Sequence, residues 1–268
     1  MKDEAAKGGL DPDRAAPRFR WGRRTPYGIR RDVRDEWRAP FPHHAATYAA
    51  LDLGTNNCRL LIARPTADGF RVVDAFSRII RLGEGVDGSR RISDAAIARA
   101  VEALFVCREK MRARGVTRAR LIATAACRAA DNGEEFRDRV AREAGLELEI
   151  IDSATEARLA ATGCTELFDP AANSVILFDI GGGSSELVRL NRRRGDGRRG
   201  PPEPDIAGWA SLPVGVVTLA ERYGGKVVSR GTYDAMIEDV AAFVDGFAND
   251  HRSGLADFHM LEIGRAHV

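Results

Sequence analysis

The sequence predicts an α/β fold in which one hairpin design occurs twice. Each copy has an apolar run typical of a buried strand, an Asp near its end, a turn rich in Gly and hydroxyl groups, and a second apolar run. The copies cover residues 49–63 and 175–190. Strand and helix patterns alternate between them, which is typical of a sheet that adds parallel strands to antiparallel hairpins.

The elements between the hairpins are predicted from hydrophobic spacing and from capping residues. A helix begins after the N-cap Ser93 and stops near Gly115, because Ser caps helix starts and Gly favours helix ends. The other predictions are strands over Phe70–Ile80, Arg118–Ala123 and Leu146–Ile151, and helices over Glu134–Ala144 and Ala154–Leu167.

After the second hairpin, an Arg-, Gly- and Pro-rich stretch over Arg192–Asp205 predicts a long hairpin loop. It leads to a predicted strand over Ala207–Leu212. A helix over Thr232–Asn249 and the start of a strand at Phe258–Leu261 follow.

Composition indicates an ordinary globular chain. Its 268 residues are 44% hydrophobic, its net charge is +2, and no apolar run reaches the roughly 18 residues of a membrane span. We therefore expect a cytoplasmic protein with no membrane and no specific nucleic-acid partner. The four cysteines are scattered, which favours small buried hydrophobes over a zinc site or disulfides.

Residues 1–44 carry eleven Lys and Arg against seven Asp and Glu, with five prolines and no apolar periodicity. This pattern predicts a disordered basic arm over 1–46. The arm either binds polyanions through its positive charge or is a solvated tail, and a solvated tail is the more common case for such segments.

The turns of the two hairpins are candidate phosphate sites. Gly lets a phosphate approach the backbone N–H groups, and hydroxyl side chains add donors. The residues are Gly54, Thr55, Asn56 and Asn57 in the first turn, and Gly181, Gly182, Gly183, Ser184 and Ser185 in the second. Two such turns can hold one polyanion from both sides.

Carboxylates at the strand ends are candidate Mg²⁺ ligands, because Mg²⁺ prefers oxygen donors and substrate phosphates. They are Asp179 and Glu186 on opposite arms of the second hairpin, and Asp52 on the first. For Asp52, hydrogen bonding to its own turn backbone is the alternative. Gly215 adds a backbone donor or is only a turn residue.

Glu156 and Arg128 each follow a predicted strand, so both are expected at the sheet edge where the turns lie. Glu156 is a candidate base for water, or a solvated first-turn carboxylate that stabilises its helix. Arg128 is a candidate to bind a phosphate through its guanidinium, or it pairs on the surface with Asp131 or Glu134.

Several segments together resemble the exopolyphosphatase and guanosine pentaphosphate phosphatase family. The resemblance spans about Tyr48 to Met260. The segments are the first phosphate turn, Arg81–Val86, Thr124–Arg128, Glu156–Arg158, Asp179–Glu186 and Leu212–Gly215, in family order.

The resemblance implies an α/β, actin-like ATPase (ribonuclease H-like) fold with two similar domains. It implies Mg²⁺-dependent hydrolysis of the terminal phosphoanhydride of polyphosphate, guanosine pentaphosphate or both. In that family the Glu matching Glu156 is the base that activates water. Dimers are common in the family, so we expect a homodimer when the chain is full length. Ser153, Ala154 and Thr155 depart from the family pattern, which puts a second acidic helper in doubt.

The predicted organisation is an arm (1–46), a first actin-like domain (47–170) and a partial second one (171–261). Residues 262–268 are a suspected non-native tail, which we interpret as sequencing-adapter readthrough. A second domain cut short in this way would leave the apolar helix face over 236–247 without a partner.

Other function classes remain open. They are an actin-like nucleotide-binding ATPase, a phosphotransferase of the sugar-kinase type, and a guanosine polyphosphate sensor without turnover. In ATPases of the chaperone type, Thr and Asp usually stand where this chain has Ser185 and Glu186.

Overall fold

The computed structural model describes residues 46–67, 69–169, 171–191, 204–225, 227–251 and 258–264. Two compact units meet in sequence between Ile150 and Ile151, and each is described by itself. The predicted arm, apart from residue 46, lies outside the described residues. So do most of the predicted Arg-rich loop and the last four residues of the suspected tail.

The first unit has a sheet whose described strands are β1 (Tyr48–Leu53), β2 (Asn57–Thr66), β3 (Gly69–Ile79), β4 (Arg118–Ala123) and β5 (Glu149–Ile150). Their order is β3–β2–β1–β4–β5. The first three pair antiparallel, whereas β4 runs parallel to β1 and β5 parallel to β4. The predicted strand over 146–151 is too long, since only Glu149 and Ile150 pair with β4.

The helices of the first unit are α1 (Val86–Ser89), α2 (Asp94–Ala113), α3 (Ala125–Ala129) and α4 (Gly133–Ala144). The predicted N-cap is confirmed, because the Ser93 hydroxyl accepts from the Ala96 N–H at 3.2 Å. The core combines the apolar face of α2 with the inward side chains of β1 and β2. It includes Leu51, Leu60, Ile62, Ile97, Val101 and Leu104.

The second unit begins with α5 (Ser153–Cys164) and a 3₁₀ turn at Thr165–Leu167. Its described strands are β6 (Ser174–Ile180), β7 (Ser185–Asn191), β8 (Asp205–Leu212) and β9 (Phe258–Ile263), in the order β8–β7–β6–β9. Strands β6, β7 and β8 pair antiparallel, and β9 runs parallel to β6. Its remaining helices are α6 (Val216–Tyr223) and α7 (Arg230–Asp250).

Helix α5 packs on the second sheet, although the predicted first domain extends to residue 170. Its Ala157 and Ala161 are buried with Val175, Leu177 and Val188. The division at residue 150 therefore precedes the predicted boundary, because the apolar side of α5 finds its partner in the second unit.

The expectation that the apolar face over 236–247 lacks a partner is wrong. Val240, Phe243, Val244 and Phe247 of α7 pack around Leu187, Leu212 and Val214 of the second sheet. Strand β9 also continues beyond the predicted start of the tail, since Glu262 and Ile263 keep their pairing with β6.

All four cysteines are free and buried, as the composition predicts. Within the described ranges, no helix combines the length and the apolar character that a membrane crossing requires.

Candidate functional site

The two hairpin turns have the same backbone geometry. In the first, Leu53 pairs with Cys58 and the Gly54 N–H donates to the Asn57 carbonyl at 2.9 Å. In the second, Ile180 pairs with Ser185 and the Gly181 N–H donates to the Ser184 carbonyl at 2.9 Å. The repeat predicted from sequence is therefore a repeat in three dimensions.

Each turn has backbone amides without an acceptor in the part of the chain that the structure describes. Among the described residues, the N–H groups of Thr55 and Asn56 donate to no carbonyl, and neither do those of Gly182 and Gly183. Unpaired, neighbouring N–H groups in a turn form a concave donor site for an anion. This arrangement is what the sequence predicts for phosphate binding.

The second hairpin carries carboxylates on both arms. Asp179 of β6 lies directly opposite Glu186 of β7, and residues opposite each other share one face of the sheet. Helix α5 brings Glu156 close enough for its charge to act on Glu186. The second unit thus gathers the predicted base and two of the three predicted metal ligands.

Glu186 is the buried member of this group, with only 2% of its surface exposed. Its Oε1 accepts from the Ser184 hydroxyl at 2.8 Å and from the Ser211 hydroxyl at 3.0 Å. Burial, together with the charges of Glu156 and Asp179, raises the pKa of Glu186 to about 7, although hydrogen bonds from the two hydroxyls act in the opposite direction.

Both serine hydroxyls of the second turn have protein acceptors. The Ser184 hydroxyl donates to Glu186, and the Ser185 hydroxyl donates to the Val214 carbonyl at 2.7 Å. In this structure the two hydroxyls support Glu186 and the segment before α6, and their role as phosphate donors stays a prediction. The backbone amides of the turn are the better candidates.

Gly215 lies against the second turn as a spacer. A Cβ on Gly215 would stand 2.6 Å from the Gly181 and Gly182 backbone, so no larger residue fits there without movement. Its own N–H donates to the Thr218 hydroxyl at 2.7 Å. Of the two sequence interpretations, the turn residue is the one that this geometry supports.

The first hairpin lacks the carboxylate pair. Asp52 lies opposite Arg59, which occupies the register position that Glu186 holds in the second hairpin. Thr55 is buried, and a Cβ on Gly83 would stand 2.3 Å from its methyl group. The Asn57 Oδ1 is buried and accepts no hydrogen bond from the described residues.

Arg128 belongs to the neighbourhood of the first turn. Strand β4 ends beside the end of β1, and the Thr124 N–H donates to the Leu53 carbonyl at 3.3 Å. Helix α3, which carries Arg128, starts there. Of the two carboxylates that the sequence offers as surface partners of Arg128, Asp131 pairs with Arg90 and Glu134 pairs with Arg137, and the phosphate role of Arg128 stays a prediction.

The predicted metal site is not preassembled in the described residues. No three His, Cys, Asp or Glu side chains of these ranges come together in an arrangement that could hold a metal ion. Mg²⁺ commonly uses one or two carboxylates, several waters and substrate phosphates. The paired carboxylates Asp179 and Glu186 fit that mode of binding, and their ligand role stays a prediction.

Two further residues, which the sequence did not single out, shape the site. Ser211 supports Glu186 from β8, and no local signal marks it, because its role depends on how β8 pairs with β7. Arg99 is the second residue. It pairs with Glu84 at 2.9 Å and also donates to the Ile80 and Arg81 carbonyls. Glu84, for which the sequence suggests no role, thus anchors the segment beside the first turn.

Comparison with known proteins identifies the family. Residues 61–255 match the model of the Ppx/GppA phosphatase family. Because this match covers more than half of the sequence, the chain belongs to the Ppx/GppA phosphatase family.

The chain is 30% identical over 212 residues to a guanosine-5'-triphosphate,3'-diphosphate pyrophosphatase of Aeromonas hydrophila. That match covers 79% of the chain and 40% of the relative. The chain therefore spans less than half the length of this curated relative.

Two solved structures extend the likeness to the fold. A crystal structure of an exopolyphosphatase-like protein has a TM-score of 0.70 at 33% identity, covering 83% of this chain and 66% of that one. The Ppx/GppA enzyme of Aquifex aeolicus has a TM-score of 0.61 at 26% identity, covering 80% and 67%. The predicted α/β, actin-like fold is confirmed.

Proposed function

We propose that this chain hydrolyses the terminal phosphoanhydride bond of inorganic polyphosphate, of guanosine pentaphosphate, or of both, with Mg²⁺ as cofactor. The observation that carries the proposal is the grouping of Glu156, Asp179 and Glu186 beside a turn with unpaired amides. Backbone amides alone would explain phosphate binding. Hydrolysis also needs a base for water and ligands for Mg²⁺, and the neighbouring carboxylates can supply both.

Each group has a role in phosphoryl transfer. The unpaired amides of the turns bind non-bridging phosphate oxygens, and Arg128 adds a cation beside the first turn. Asp179 and Glu186 would hold Mg²⁺, which supplies neutralisation of the charge on the phosphate oxygens.

Glu156 is the proposed base. It is half-buried in the first turn of α5, where Asp152 caps the helix by accepting from the Thr155 N–H at 2.7 Å. This cap fixes the start of the helix and hence the position of Glu156 on it. We propose that Glu156 orients a water molecule for attack and accepts its proton.

The named activities of relatives support the substrate class. A guanosine pentaphosphate pyrophosphatase and an exopolyphosphatase-like protein are both similar to this chain. Both substrate types present a terminal phosphoanhydride. Comparing phosphate release from the two substrates measures the preference.

The first prediction tests Glu156. Phosphate release should be measured from polyphosphate, guanosine pentaphosphate and ATP, for the wild type and for Glu156→Gln. We expect release from at least one of the first two, and a loss of about 10²- to 10⁴-fold in Glu156→Gln, the usual size of general base catalysis.

Glu135→Gln is the matched control, because Glu135 is also an acidic residue in the first turn of a helix and is exposed. It should keep full activity. Preferred cleavage of ATP would favour the actin-like ATPase alternative, and tight binding of guanosine pentaphosphate without release would favour the sensor. Full hydrolysis by Glu156→Gln would show that Glu156 is not the base.

A further inference from the structure

Arg81 has an unusual backbone conformation for its residue type. Its φ is +47°, in the left-handed region that only Gly, Asn and Asp adopt readily. Among the described residues, Arg90 is the one other non-glycine residue with positive φ. Non-glycine residues held in this region concentrate at binding sites. The contacts that hold Arg81 in this conformation therefore bear on whether it belongs to a binding site.

Four hydrogen bonds fix the Arg81 segment, and two of them join it to the first phosphate turn. The N–H groups of Ile80 and Arg81 both donate to the Asn56 carbonyl, at 2.8 and 3.0 Å. The Arg99 guanidinium donates to the Ile80 carbonyl at 2.8 Å and to the Arg81 carbonyl at 3.2 Å. The left-handed conformation is thus imposed from both sides, and Arg81 is fixed next to Asn56.

The guanidinium of Arg81 has no carboxylate partner within the described ranges, and the residue is exposed. Its neighbour Arg99 pairs with Glu84 and is neutralised. Arg90, the other left-handed arginine, pairs with Asp131 at 3.3 Å. Arg81 therefore carries an uncompensated positive charge, and its backbone N–H is bonded to Asn56 of the turn that we propose to bind phosphate.

We infer that Arg81 is a phosphate-binding residue of the first turn and contacts a non-bridging oxygen of a condensed phosphate chain. This inference rests on the proposed function, because it assumes that the first turn binds such a chain. A guanidinium can donate two parallel N–H bonds to phosphate, and its attraction to a polyanion weakens with added salt. Arg81 adds affinity and takes no part in proton transfer.

The test compares Arg81→Asn with Arg90→Asn. Asn tolerates the left-handed region, so both variants should keep the backbone conformation while they remove a guanidinium. The measurements are KM and kcat for tripolyphosphate at low and moderate salt, equilibrium binding of tripolyphosphate, and the midpoint of thermal unfolding.

We expect Arg81→Asn to raise KM about tenfold at low salt, with kcat within about twofold and no fall in the unfolding midpoint. The salt dependence of KM should be shallower than in the wild type, which a purely structural role would not produce. Arg90→Asn should leave KM and its salt dependence unchanged, because an exposed ion pair contributes little.

If Arg81→Asn and Arg90→Asn give the same KM and the same salt dependence, the inference about Arg81 is wrong while the proposed function stands. If the wild type neither binds nor cleaves tripolyphosphate, the inference about Arg81 is wrong, and the proposed function fails as well if guanosine pentaphosphate is also not cleaved.

Discussion

The first and second hairpins share one backbone and differ in chemistry at one register position. Opposite the strand-end Asp, the first hairpin has Arg59 and the second has Glu186. The turn hydrogen bond is the same length in both, at 2.9 Å. A repeated phosphate-binding turn can therefore be specialised by changing the residue that faces the Asp, without altering the turn.

The residues around the two turns also differ in charge, as the residues opposite the strand-end Asp do. The first turn contains the buried Thr55 and lies beside the fixed Arg81 and the helix that carries Arg128. The second lies beside Glu156 and the Ser211 hydroxyl. The first neighbourhood supplies cations and the second supplies carboxylates. We therefore propose that the cations of the first hairpin's neighbourhood favour phosphate binding, and that the carboxylates of the second favour metal binding and water activation in addition to its phosphate-binding amides.

The largest expected effect is a difference between Glu186 and Arg59, the residues that lie opposite the strand-end Asp in the second and the first hairpin. Glu186→Gln should lower phosphate release about 100-fold or more, since a ligand to the metal would be lost. Arg59→Gln, at the equivalent position of the first hairpin, should change release by less than about threefold, because Arg59 is exposed. Steady-state rates at saturating Mg²⁺ check both, and equal losses would contradict the division of roles.

The next effect is a pH dependence of stability. The pKa of Glu186 rises from 4.5 to about 7 on folding, so the folded state binds more protons than the unfolded state in that window. The free energy of unfolding should therefore fall as pH rises from 4.5 to 7, by on the order of 3 kcal/mol from this group, and then level off.

Denaturant unfolding at pH 4.5, 6 and 7.5 measures this dependence. Glu186→Gln should remove the corresponding part of the slope, because glutamine does not titrate. A slope that is the same in wild type and variant would show that another group is responsible. Arg59→Gln serves again as control and should keep the wild-type slope.

The smallest effect concerns the support of Glu186. Ser211→Ala should lower the free energy of unfolding by about 1–3 kcal/mol at pH 7.5, because it removes a hydrogen bond to a charged, buried carboxylate. Ser174→Ala is the matched control on the same sheet. The Ser174 hydroxyl is buried with no partner among the described residues, so its loss should be neutral or slightly stabilising. Equal losses in chemical denaturation would contradict the role of Ser211.

Local patterns predict much of the fold. The hairpins were predictable because the strand-end Asp, the Gly-rich turn and the apolar runs lie within a few residues of each other. Strand β4 and the start of α2 were predictable for the same reason: Ser93 caps its own helix, and Gly115 and Gly145 adopt positive φ where the helices end.

The remaining features depend on distant parts of the chain. Helix α5 follows β5 in sequence but packs on Val175 and Val188, so the unit boundary depends on packing that no local pattern contains. Ser211 meets Glu186 only through the register of β8 with β7. The strain at Arg81 arises from Asn56 and Arg99, which lie on either side of it in sequence.

The central claim is that Glu156, beside the second hairpin, activates water without contributing to affinity. Measuring single-turnover phosphate release and equilibrium binding of the same polyphosphate, for wild type and Glu156→Gln, tests this directly. The account predicts that release falls by about 100-fold or more while Kd stays within about threefold. Undiminished release, or a loss explained entirely by weaker binding, would contradict it.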